Sequence, residues 1–117
     1  MSLSRENLAK LKKPGFWLLL ALALCIAGSF LANMFNTSFY QVRVERIKIE
    51  TERGTLSALL YVPRGASSED PRAGIVTTHG YLNSKEMQDA PAIEMSRRGF
   101  VVMALDIYDH GDSSWKT

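Results

Sequence analysis

Two short stretches hold most of the residues able to do chemistry. One is Thr77-Thr78-His79-Gly80-Tyr81-Leu82-Asn83, the other Asp106-Ile107-Tyr108-Asp109-His110-Gly111-Asp112-Ser113. A histidine can move a proton near neutral pH, and a serine can attack a carbonyl once a base takes its proton. Gly80 has no Cβ, so a substrate could come close to the backbone there. Asp106 and His110 could be misread as two thirds of a catalytic triad. Asp109, His110 and Asp112 offer metal-binding atoms, but adjacent residues of one loop rarely close a site alone. The single cysteine, Cys25, excludes an internal disulfide and a cysteine-based zinc site. No metal or other cofactor is expected. Asp89 and Glu94 read most simply as a helix cap and part of a solvated face.

Both stretches follow predicted strands. Gly74–Thr78 is short and β-branched, bounded by Gly80. Phe100–Leu105 is apolar without alternation, as in a strand buried on both faces of a parallel sheet. Pro91 would break one helix over 84–98, so the helix is expected to carry Pro91 in its first turn. Asp89 then lies near its cap and Gly99 at its end. Strand, helix and strand make a βαβ unit, and both loops leave the carboxyl ends of parallel strands. Open α/β sheets place ligands there. Upstream, Val42 and Val44 share one face of a strand, whereas Ile47 and Ile49 take the other parity. A bulge would reconcile them, and the ordered strand is expected to start near Glu45. Arg53-Gly54 reads as a turn, and Leu56, Ala58, Leu60 and Val62 alternate along a second strand. The two strands form an antiparallel hairpin, followed by a polar loop from Pro63 to Pro71.

Pro14 to Val42 contains no charged residue, and Phe16–Phe35 is a mainly apolar run long enough to span a bilayer. Trp17 and Tyr40 lie near its two ends, where amphipathic rings favour the interface. Arg5, Lys10, Lys12 and Lys13 against Glu6 give residues 1–35 a net +3, which leaves −1 of the total +2 for the rest. The basic balance thus belongs to the leader, and no nucleic-acid surface is expected. Three lysines abut the run, and the first positive residue beyond it is Arg43. That asymmetry favours a single-pass protein of the cell membrane with a cytoplasmic N-terminus and an extracytoplasmic C-terminal part. A cleaved signal peptide, with Ala27-Gly28-Ser29 as processing site, is the competing reading. The expected organisation is a basic leader at 1–15, a transmembrane helix at 16–35, a linker at 36–44 and a domain at 45–117.

The two stretches, taken with Gly54–Gly65 before them, resemble the opening of α/β-hydrolases in the esterase, dienelactone-hydrolase and serine-peptidase branches. The resemblance covers about residues 45–114. It implies an α/β fold: the transmembrane helix, then the first half of a hydrolase sheet, a hairpin plus a βαβ unit, truncated. The fourth strand would lie between the second and third. It also implies that the Tyr81 backbone N–H, next to Gly80, is one donor of an oxyanion hole. Such a donor is worth about 2.7–4 kcal/mol to a tetrahedral intermediate. The family's catalytic histidine comes near the end of a complete domain, so His79 is expected to pack or hydrogen-bond beneath its loop. By the same resemblance Asp106 and His110 order the second loop, where Asp109 stands at a place that often carries glycine. Neither Ser113 nor Ser114 lies in Gly-x-Ser-x-Gly, so nucleophile, acid and catalytic histidine are all missing from residues 1–117. The implied function is the N-terminal part of a membrane-anchored serine hydrolase, tethered through residues 16–35. A complete version would take a small acyl or peptide substrate. The alternatives are a non-catalytic membrane-tethered binding or assembly module, and a signal-anchored fragment with no separate function.

Overall fold

The computed structural model describes residues 14–116, so residues 1–13 of the expected leader, with its lysines, lie outside the described residues, while Pro14 and Gly15 belong to the helix. The chain divides into two units near Asn33. The first is most of helix α1, Pro14–Asn36, which carries no charge and buries none of its residues. Its 23 residues reach about 34 Å at 1.5 Å per residue. It is long and apolar enough to cross a membrane.

The second unit starts with a tight reversal. Ser38, Phe39 and Tyr40 all have positive φ, at 49°, 55° and 61°. Three left-handed non-glycine residues in a row cost about 1–2 kcal/mol each. The Phe39 N–H donates to the Met34 carbonyl at 2.7 Å and the Val42 N–H to that of Thr37 at 3.0 Å. Strand β1 follows at Val42–Thr51, then β2 at Gly54–Pro63. They pair antiparallel without interruption from Val42↔Pro63 to Thr51↔Gly54. The expected bulge is therefore absent, and the strand begins at Val42 rather than near Glu45. Val42 and Val44 pack with the core, while Ile47 and Ile49 are half-buried on the opposite face. Two partly covered faces, and no slip in register, account for the change of parity. The turn is Glu52-Arg53, one residue earlier than expected. Gly54 opens β2 at φ +147°, and a Cβ there would overlap the Ser114 carbonyl.

Strand β3 (Gly74–Thr78), a 3₁₀ turn (Lys85–Gln88), helix α2 (Asp89–Arg97) and strand β4 (Val101–Leu105) complete the unit. The sheet order is β1-β2-β4-β3, with β3 and β4 parallel and β2 and β4 antiparallel. The fourth strand thus inserts between the second and third, as the resemblance implies. Helix α2 covers one face, where Val42, Leu59, Tyr61, Ala92, Val102 and Ala104 form the core. On β2 the residues packed into this core are Leu59 and Tyr61, not the alternating Leu56, Ala58, Leu60 and Val62. On β4 only Val102 and Ala104 are fully buried, while Val101, Met103 and Leu105 stay half-buried. Among the described residues β4 is thus buried on one face, not both. Pro91 falls in the first turn of α2 and the chain leaves it at Gly99 (φ +98°), as expected. Asp89 is not the cap. The 3₁₀ turn makes Gln88 the N-cap, and the Asp89 carboxylate instead accepts the Tyr61 hydroxyl. Burial first, then this hydrogen bond and the charges of Asp89 and Glu86, push the phenol far above its ordinary range.

Candidate functional site

Parallel pairing of β3 with β4 brings both chemistry-bearing loops to one end of the sheet. The loop after β3 runs from His79 to Ser84, and the loop after β4 from Asp106 to Ser113. Their junction is an ion cluster built on a buried Lys85–Asp106 pair, with Asp112, Glu86 and Arg46 exposed around it. The carboxylate of Asp106, wholly buried, accepts the Lys85 N–H at 2.6 Å, Lys85 Nζ at 2.7 Å and the Asp112 N–H at 3.0 Å. Lys85 Nζ also reaches Asp112 at 2.8 Å and Glu86 at 3.1 Å. Arg46 of β1 holds the same Asp112 oxygen at 2.8 Å.

The charges within this cluster set one another. Burial alone would lower the Lys85 ammonium and raise the Asp106 carboxyl. The hydrogen bonds between them outweigh it, with help from Asp112 and Glu86 on one side and two backbone N–H groups on the other. Lys85 is held above the usual lysine range and Asp106 below the usual carboxylate range. Asp112 is lowered chiefly by its hydrogen bond from Lys85. Both Asp106 and Lys85 are therefore ionised at neutral pH, and neither is a poised acid or base.

Around this pair the second loop is tied down. Gly111 has φ +53°, and a Cβ on it would overlap the Asp106 carboxylate, so only glycine fits. Asp109 also adopts a left-handed φ of 59°. Glycine tolerates that conformation best and aspartate better than most other residues, which is the physical sense of the glycine that the resemblance implies at this place. Ser113 Oγ donates to the Asp106 carbonyl at 2.9 Å and accepts the Ser57 N–H at 2.8 Å. The first bond closes the loop on itself and the second ties it to β2. His110 lies 5.1 Å from His79, ring to ring, and its Nδ1 is 3.0 Å from the Tyr108 carbonyl.

His79 sits beneath its own loop, only 6% exposed. Its Nδ1 meets the Gly80 carbonyl at 2.8 Å, and its Nε2 accepts the Ile107 N–H at 3.3 Å. Placing the proton on Nδ1 satisfies both contacts, and the ring becomes a strut between the two loops. Above it the loop is open. Tyr81 is 85% exposed, and nothing lies within 4 Å of where a Cβ on Gly80 would stand. The Gly80 carbonyl accepts the Asn83 N–H at 3.3 Å. Among the described residues the Tyr81 N–H donates to nothing.

Lys85 has no counterpart in the sequence reading. A lysine between Ser84 and Glu86 has the composition of a solvated turn. The available signal was Asp106, a carboxylate expected to be structural at the end of an inner strand, which requires a cation nearby.

No family model matches the sequence, and no curated protein does. Solved structures do. A thioesterase domain from the curacin biosynthetic pathway is similar at 19% identity and a TM-score of 0.53, over 63% of this chain and 24% of that one. Carboxylesterase CesB from Bacillus subtilis is similar at 21% identity and a TM-score of 0.51, over 75% and 29%. A bacterial membrane phospholipase A is similar at 20% identity and a TM-score of 0.52, over 87% and 33%. The chain thus spans only about a quarter to a third of the length of the structures it matches. Identities at this level carry the fold alone. Through β1 to β4 and the loops that leave them, the chain has the architecture of the opening part of an α/β-hydrolase-type fold.

Proposed function

We propose that the chain is the membrane-anchored N-terminal part of a serine hydrolase acting on ester, thioester or peptide bonds, with the Tyr81 backbone N–H as one oxyanion donor. The observation that carries this reading is the Tyr81 N–H itself. It has no acceptor among the described residues, at the carboxyl end of β3, in a loop braced from below by His79. A donor held in place before the reaction costs no reorganisation when negative charge develops on a carbonyl oxygen. Gly80 leaves the approach clear. Hydrolases of acyl bonds among the structural neighbours support the same chemistry, and α1 supplies a span suited to anchoring. The nucleophile, its base and the second donor would come from sequence outside residues 1–117.

Two substitutions test the donor in a form of the protein that carries the nucleophile. Gly80→Val should fold normally, because its Cβ meets open space and the backbone there is not left-handed. Its side chain, standing in the approach, should keep the carbonyl oxygen off the Tyr81 N–H and lower kcat on short-chain nitrophenyl esters by about 10²–10³, the margin of one lost oxyanion donor. Tyr81→Phe should stay within a few-fold of wild type, since the donor is main chain. The reverse pattern would remove Tyr81 from the site.

A further inference from the structure

The opposite end of the sheet, where β1, β3 and β4 begin, holds a second feature. A cleft of about 320 Å³ opens there, and Gln41, Arg64, Arg72, Ser96 and Arg97 are among its walls, with no carboxylate. Arg72 is paired with Asp70, and Arg97 with Glu94, which it shares with Arg98. Arg64 has no carboxylate partner among the described residues. A guanidinium carries five N–H donors, so one carboxylate leaves the paired arginines with donors to spare. Ser96 is wholly buried in the wall, and its hydroxyl has no hydrogen-bond partner. A second cleft of about 260 Å³ shares Gln41 and Arg64 and adds Arg43. An arginine with no carboxylate partner, the spare donors of Arg72 and Arg97 on the same wall, and an unsatisfied hydroxyl make a receptor for a planar or tetrahedral oxyanion.

Chain connectivity indicates where that anion comes from. Gln41 is five residues beyond the end of α1 and can lie at most about 18 Å from it, at 3.6 Å per residue. The polar layer of a bilayer is roughly 5–8 Å deep on each side. A domain tethered this closely meets headgroups before bulk solutes, and basic clusters beside a span attract anionic lipid.

We propose that the Arg64–Arg72–Arg97 cleft binds a phosphate group, supplied by the headgroup of an anionic phospholipid. The lipid source rests on the anchored reading of α1, whereas the phosphate chemistry does not.

The test uses the full chain in detergent micelles, titrated with phosphatidylglycerol or with diacylglycerol, which lacks the phosphate, and read by native mass spectrometry. Phosphatidylglycerol should bind at least about tenfold more tightly. Arg64→Gln should lose about that factor, and Ser96→Ala several-fold with no change in charge. Lys48→Gln, which removes one positive charge elsewhere on β1, should leave the affinity unchanged. Equal binding of the two lipids with no binding of glycerol 3-phosphate, or Arg64→Gln binding like wild type, would overturn the proposal. A parallel arm titrates glycerol 3-phosphate. Saturation by this soluble ester without preference between the lipids would overturn the membrane source. Intact mass of the chain from membranes reports on the anchor separately. Loss of α1 there would end the anchored reading, while every named cleft residue would remain on the mature chain.

Discussion

A lysine ammonium withdrawn from water needs acceptors around it, and Lys85 has three carboxylates within 3.1 Å. The cluster is a joint, since Lys85 comes from the loop region after β3 and Asp106 from the end of β4. Lys85→Met would strand a buried carboxylate and should cost about 3–5 kcal/mol in urea unfolding. Adding Asp106→Asn should recover part of that loss, because the second change removes the orphaned charge. An additive double mutant would mean the two residues do not act as a pair. The pH dependence has a definite sign. The lowered carboxyls of Asp106 and Asp112 contribute stability above the ordinary carboxylate range, near pH 4, and lose it as pH falls through their folded values. Lys85, raised, contributes fully below the ordinary lysine pKa of about 10.4 and loses its part only as pH climbs through its higher folded value. The gap between wild type and Lys85→Met should therefore close in acid, starting where the stranded Asp106 of the variant takes up a proton, and stay flat from there to about pH 10. Urea midpoints across pH measure it. The site residues around this joint were legible unequally. His79, Gly80 and Ser113 could be read because a motif frames them. Lys85 could not, because burial of a lysine depends on a partner 21 positions away.

At the scale of elements, local chemistry carried the helix ends and the strands better than their faces. Pro91 and Gly99 mark the course of α2 because proline and glycine act through their own backbones. Parity misled in β1, where both faces are partly covered and a regular register imitates a slip. It misled again in β2, where Leu59 and Tyr61 face α2 and the more regular apolar series faces away. Which face is the core depends on where α2 lands, and no local signal on β2 records that. For α1, length and composition fit a span, but sidedness rests on Lys10, Lys12 and Lys13, which lie outside the described residues. Reporter fusions at Asn36 and after Thr117 should both signal from the far side of the membrane. A cytoplasmic signal from both would refute the orientation. A mature chain shortened near Ser29 would establish the signal-peptide reading instead.

For the molecule as a whole, the outer edge of β3 is unpaired among the described residues, and Val76 on it is 61% exposed. An exposed edge of this kind is a template for another strand. The chain spans only a quarter to a third of the length of its structural neighbours. The central claim is that residues 1–117 carry an oxyanion donor and no nucleophile. Reaction with a fluorophosphonate probe, located by peptide mass spectrometry, tests it most directly. The 117-residue chain should show no labelling. Ser113, in the same loop as His110, is buried, donates one hydrogen bond and accepts another. A form extended through a nucleophile elbow should label stoichiometrically on one serine beyond Thr117. Stoichiometric labelling of Ser113 or Ser114 in the short chain would contradict the account.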